Sequence, residues 1–163
     1  MQNNIFFIVL WTACVVATII GAALAVRRPV GRYIGRVAVG VLFVVGGALL
    51  HVINLVRGDD YAGFADPAHF AWVTTAWRAV VPPNHVLLIG LLILFEATAG
   101  VLVISGRWTR LGYVAVIAFH LLLWLFGWFE TVYALIMLPP LVLLLHAETR
   151  LNRHRDRPAV PSR

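Results

Sequence analysis

The sequence predicts an all-α transmembrane bundle of five crossings, with a short amphipathic helix on its outer side. Three observations predict it. The chain of 163 residues is 61% hydrophobic and only 12% charged, with a mean hydropathy of +0.89, which leaves far too little polar surface to cover a water-soluble globule. Its apolar residues gather into runs long enough to cross a hydrocarbon core of roughly 30 Å. Eleven of the thirteen arginines fall in three clusters, each following such a run: Arg27/Arg28/Arg32/Arg36, Arg107/Arg110 and Arg150/Arg153/Arg155/Arg157/Arg163.

The crossings are read at Ile5 to Val26, Tyr33 to Val56, Val86 to Ser105, Leu111 to Gly127 and Thr131 to His146, within a bundle of residues 1–148. The last two are separated because Leu111 to His146 as one helix would be nearly twice the bilayer thickness, and Gly127-Trp128-Phe129-Glu130 supplies a turn with interfacial aromatics. Basic loops stay in the cytoplasm, so the clusters after the first, third and fifth crossings place the amino terminus outside and the carboxyl terminus inside. Only Arg57 and Arg78 then lie outside, together with Asp59, Asp60, Asp66 and Glu130. The expected location is a plasma membrane of the bacterial inner-membrane type. Ala23-Leu24-Ala25 resembles a signal-peptide cleavage site, but the first run lacks a basic leader, so it is read as a retained helix.

Residues 57–85 form the outer loop. Asp66-Pro67 predicts an N-cap with proline at the first helical position, and Phe70, Val73, Trp77 and Val80 recur at helical spacing until Pro82-Pro83 ends the segment. Such a helix lies on the leaflet or caps the bundle. The basic tail, 149–163, is expected to be disordered beyond a frayed turn and held by anionic lipid. A pI near 10.7 would suggest nucleic acid in a soluble protein, but here the charge sits at helix ends, so no nucleic-acid partner is expected. Cys14 is the single cysteine, which excludes an internal disulfide and a cysteine-based metal cluster.

Several residues are ones that lipid would not choose. Glu96 falls about ten residues into the third crossing, roughly 15 Å deep, where a carboxyl must face the bundle interior and be protonated or paired. His51 and His120 lie in the second and fourth crossings at roughly 8–10 Å depth. Asn54 shares a helix face with His51, and His85 stands at the mouth. Together they outline a ligand site open to the outer side, with Glu96 as candidate acid–base group. Interhelical hydrogen bonding is the plainer alternative for each. No helix offers His and Glu at the spacing that bundle metal sites use, so neither metal nor other cofactor is expected. His69 belongs to the outer segment, and His146 and His154 to the solvated inner side. Gly35, Gly40, Gly46-Gly47 and Gly100 allow close backbone approach, while Pro139-Pro140 predicts a kink in the fifth crossing.

From Tyr33 to His146 the chain resembles DoxX-like small integral membrane proteins. The matching features are Gly35-Arg36 leading a glycine-rich helix to Gly47, Tyr61-Ala-Gly-Phe-Ala-Asp66, Phe95-Glu96-Ala-Thr-Ala-Gly100 with Val101 to Ile104, and Arg107 to Arg110 before Leu111-Gly112. The resemblance implies a four-helix core to which the first helix is an addition. It also implies an accessory subunit or partner of a membrane redox system, such as a thiosulfate:quinone oxidoreductase. A weaker likeness in residue types is to sterol isomerases of the emopamil-binding kind. The expected function is therefore binding of a small lipophilic molecule such as a quinone, with the lipid bilayer and a membrane or redox protein as partners. A membrane enzyme using Glu96 and a histidine for acid–base chemistry and a purely structural subunit are the alternatives.

Overall fold

The computed structural model describes residues 5–155, with side chains described as far as Arg150. Its elements are α1 (Ile5–Ala25), α2 (Pro29–Val41), a π-helical segment (Leu42–Leu49) running without a break into α3 (Leu50–Val56), α4 (Ala71–Val80), α5 (His85–Ile104), α6 (Thr109–Leu123) and α7 (Trp128–Arg155). Five helical stretches are long and apolar enough to cross a membrane: Ile5–Ala25, Pro29–Val56, Ala71–Ile104, Thr109–Phe126 and Trp128–Arg150. The third includes α4, which a turn at Val81 and a 3-10 turn at Pro82–Asn84 divide from α5. Valine, leucine, isoleucine and phenylalanine side chains face outward on all five, as a hydrocarbon solvent requires.

Each crossing packs against the next, and α7 closes on α1. With an odd number of alternating crossings, α1 and α7 run parallel. The first helix is therefore part of the bundle rather than an outrigger. Its contact with α2 is backbone on backbone: a Cβ at Gly21 would lie 2.7 Å from the Gly35 amide nitrogen. No larger residue fits such an approach without moving a helix. The interior is filled by Val39, Val103, Tyr113, Val116, Met137, Leu141 and Leu144, none of them exposed.

Charge divides the two ends. The α1–α2 turn, the α5–α6 turn and the end of α7 lie together and carry Arg27, Arg28, Arg32, Arg107, Arg110 and Arg150. At this arginine-rich end Arg36 grips Glu148 with two hydrogen bonds, Nε to Oε1 at 2.8 Å and Nη2 to Oε2 at 2.5 Å, tying α2 to α7. The opposite, acidic end holds the 57–70 loop, α4 and the α6–α7 turn.

Several boundaries differ from the sequence reading. The second crossing begins at Pro29 rather than Tyr33, because proline is already shaped for a first helical position and the arginines reach past the apolar core. Helix α7 continues beyond His146 to Arg155, since Arg36 compensates the Glu148 charge. The basic tail is thus helical to Arg155, and its remainder lies outside the described residues. Pro139 and Pro140 sit inside a continuous α7. Asp66 does not cap α4, which starts five residues later at Ala71 with Phe70 as its N-cap; the carboxylate instead accepts a hydrogen bond from Arg78 at 2.9 Å. The inward face of α4 is Val73 and Trp77, while Phe70 and Val80 are exposed. Trp77 meets Phe64 and Phe126 in an aromatic cluster, and the Thr74 hydroxyl donates to the Ala65 carbonyl, so α4 folds down over the loop.

Candidate functional site

Glu96 lies on α5 with its carboxyl enclosed, 4% of the residue being exposed. It is seated directly against Gly47: a Cβ there would stand 2.7 Å from both Cδ and Oε1 of Glu96. The absence of a side chain at Gly47 makes the space for the carboxyl. Gly47 belongs to the π-helical segment, a wide form of helix that costs hydrogen-bond quality and gathers at functional positions.

His51, four residues after Gly47, brings its Nε2 to 3.6 Å from Glu96 Oε2. That is an ion-pair separation but too long for a hydrogen bond, and Oε2 is buried without a hydrogen-bond partner. On its other side, His51 Nδ1 lies 2.8 Å from the Tyr61 hydroxyl. A proton on Nδ1 makes the phenol the acceptor, and a bare Nδ1 makes it the donor. The imidazole therefore links a buried carboxyl to a loop residue through two different nitrogens.

Tyr61 is held at every polar group. Its backbone N–H donates to Asp59 Oδ1 at 2.8 Å, and its carbonyl accepts from the Trp77 indole at 2.8 Å. Those bonds fix it at φ +58°, a left-handed conformation that costs a residue with a Cβ roughly 1–2 kcal/mol. Burial pushes the Tyr61 phenol above its ordinary range, with the Asn54 side chain beside it pulling the other way. The phenol is thus a neutral hydroxyl at physiological pH, able both to donate and to accept.

Of the residues singled out in the sequence, His51, Glu96 and Asn54 come together around Tyr61. His120 is fully buried in a separate aromatic setting between Phe43, Phe119 and Tyr133. Its Nδ1 donates to the Val116 carbonyl at 2.8 Å, which leaves Nε2 as a bare acceptor with no partner. His85 closes its own turn on the Pro82 carbonyl and lines a cleft with Pro83, Val86 and Gly90, away from the pair. Among the described residues no three His, Cys, Asp or Glu side chains gather closely enough to hold a metal ion. Sequence reasoning missed Tyr61 as a site residue. Its one signal was a phenol in a polar outer loop, which many interfacial tyrosines share.

An apolar groove of about 260 Å³ runs between α5 and α6, lined by Leu91, Leu94, Phe95, Thr98, Ala99 and Leu102. It opens toward lipid, and Phe95 and Ala99 place it beside the turn that carries Glu96. Neither Glu96 nor His51 lines this groove; the pair itself is a buried carboxyl and an imidazole that share no hydrogen bond, with Tyr61 leading from the imidazole toward the acidic end. No protein-family model, curated protein or solved structure matches the chain.

Proposed function

We propose that this membrane protein binds a small lipophilic molecule of quinone type against the Glu96–His51 pair and exchanges protons with it through Tyr61. The observation that carries the reading is Glu96 Oε2, buried without a hydrogen bond and 3.6 Å from an imidazole already tied to a loop phenol. A carbonyl or hydroxyl oxygen is the chemistry such a pair complements: the acid donates to a carbonyl, and the imidazole accepts from a hydroxyl. The lipid-facing groove beside Phe95 suits an isoprenoid tail. In this reading the protein is a DoxX-like accessory subunit whose redox partner supplies the electrons. It sits in a plasma membrane of the bacterial inner-membrane type, with the arginine-rich end in the cytoplasm and the proton path opening outside.

One observation favours a second reading. The Glu96 carboxyl fills the space over Gly47, as an interhelical packing contact would. Two substitutions separate the readings. Glu96→Gln keeps shape and hydrogen bonding without the titrating proton, whereas Glu96→Ala removes both. The probe is a short-chain quinone added to the protein in nanodiscs, with quenching of tryptophan fluorescence as the readout. The proposed function expects saturable quenching in the parent protein and its loss in a folded Glu96→Gln. Unchanged quenching in Glu96→Gln, with unfolding in Glu96→Ala, leaves Glu96 as packing and refutes the acid–base role.

A further inference from the structure

At the arginine-rich end a cleft of about 470 Å³ opens between the α1–α2 turn and the last turns of α7. Its basic lining is Arg27, Arg28, Arg32, Arg150 and His146. Four guanidinium groups around one concavity repel one another, and the arrangement calls for an anion. Among the described residues the carboxylate at this end is Glu148, and Arg36 occupies both of its oxygens. Among the described residues, nothing else neutralises the cleft. Pro29 also lines it, at the first position of the 13-residue α2, whose N-terminus has no side-chain cap. The partial positive charge of that helix end adds to the arginines.

The rest of the wall is apolar: Ala25, Val26, Leu143 and Ala147 complete it. A free anion has no use for such a surface, whereas an amphiphile does. The cleft also lies where apolar helices end, at the depth of lipid headgroups. We infer that it is a built site for the phosphodiester headgroup of an anionic phospholipid, with arginine forks on the phosphate and the first acyl carbons against Leu143 and Val26. This site is separate from the Glu96–His51 pair and stands or falls independently of it.

The test compares nanodiscs of phosphatidylcholine with nanodiscs containing phosphatidylglycerol, following thermal unfolding by intrinsic fluorescence and lipid retention by native mass spectrometry. Phosphatidylglycerol is expected to raise Tm and to stay bound. The triple substitution Arg28→Gln/Arg32→Gln/Arg150→Gln is expected to weaken retention about a hundredfold, from about fivefold for each arginine near the surface. The control Arg107→Gln/Arg110→Gln lies at the same end but outside the cleft, and is expected to retain the lipid. Because neutral substitutions also alter the charge that orients the helices, Arg28→Lys/Arg32→Lys/Arg150→Lys keeps topology while removing the planar forks. Retention is expected to fall about tenfold in it, as bidentate bonds become point charges. Equal loss in cleft and control variants, parent-like retention in the lysine variant, or the same Tm rise with inorganic phosphate alone each overturns the inference.

Discussion

Gly47→Ala is the most incisive perturbation of the proposed site, because it adds one methyl group and removes no polar atom. A Cβ at this position falls 2.7 Å from Cδ and Oε1 of Glu96 and 2.8 Å from Oε2. Ordinary contact requires about 3.5 Å, so the carboxyl must retreat by roughly 0.8 Å. His51 sits one turn further along the same helix, so the retreat also changes the present 3.6 Å between Oε2 and His51 Nε2. The displaced atoms are the end of a flexible side chain, so the steric cost is that of an off-rotamer torsion, about 1 kcal/mol. Replacing glycine by alanine inside a helix gains about as much. Stability should therefore change by less than about 1 kcal/mol while quinone quenching weakens. The carboxyl stretch in the infrared, identified as the band missing from Glu96→Gln, should shift in Gly47→Ala. An unmoved band together with parent-like binding would show that the carboxyl does not rest on Gly47, and the geometric account of the site would fail.

Breaking the Arg36–Glu148 pair from one side, by Arg36→Met or Glu148→Gln, should cost about 3–5 kcal/mol in mixed-micelle unfolding, because a charge is left buried without its partner. Arg36→Met/Glu148→Met together should recover most of that; singles costing under about 1 kcal/mol would mean the pair is solvated. Tyr61→Phe should keep quinone binding but slow proton exchange, at a stability cost of about 1 kcal/mol for the lost hydrogen bond. The same substitution bears on alkaline stability: the folded phenol holds its proton above the unfolded value of about 10, so its contribution is whole below that pH and declines above it. A Tyr61→Phe protein with an equally steep loss above pH 10 would place the effect elsewhere. A reporter fused after Arg163 should be active only in a cytoplasm-dependent form, and activity on the outer side would reverse the assigned orientation.

The helices were legible because hydrocarbon imposes a length and an apolar composition that few other structures share. That Glu96 turns inward was legible for the same reason, since hydrocarbon gives a carboxyl nowhere else to go; which of His51 and His120 it would meet was not, because helix rotation and neighbour order leave no mark in the sequence. Tyr61 was not, since its role depends on a left-handed backbone held by Asp59 and Trp77, and no periodicity announces such a turn. The start of α4 was misjudged at Asp66, whose capping chemistry is equally good for pairing with Arg78. Arg36 and Glu148 stand 112 residues apart, and neither pattern nor spacing joins them. Between Leu42 and Leu49 the Gly46-Gly47 pair weakens a helix without specifying how it is wound, so the π-helical departure left no distinct mark in the sequence.

The wide turn makes the second crossing a ruler with two scales. Before it, the register of Gly35 is set by the glycine seam with α1; within and after it, Gly47 and His51 are set by Glu96 on α5. A deletion inside the wide turn is largely absorbed as it tightens to α-helical winding, but deleting a single residue from the regular helix between Gly35 and Val41 would rotate one half against the other by about 100°. Either the seam with α1 or the seat of the carboxyl would then be lost, so the chain length between these two contacts is itself part of the site.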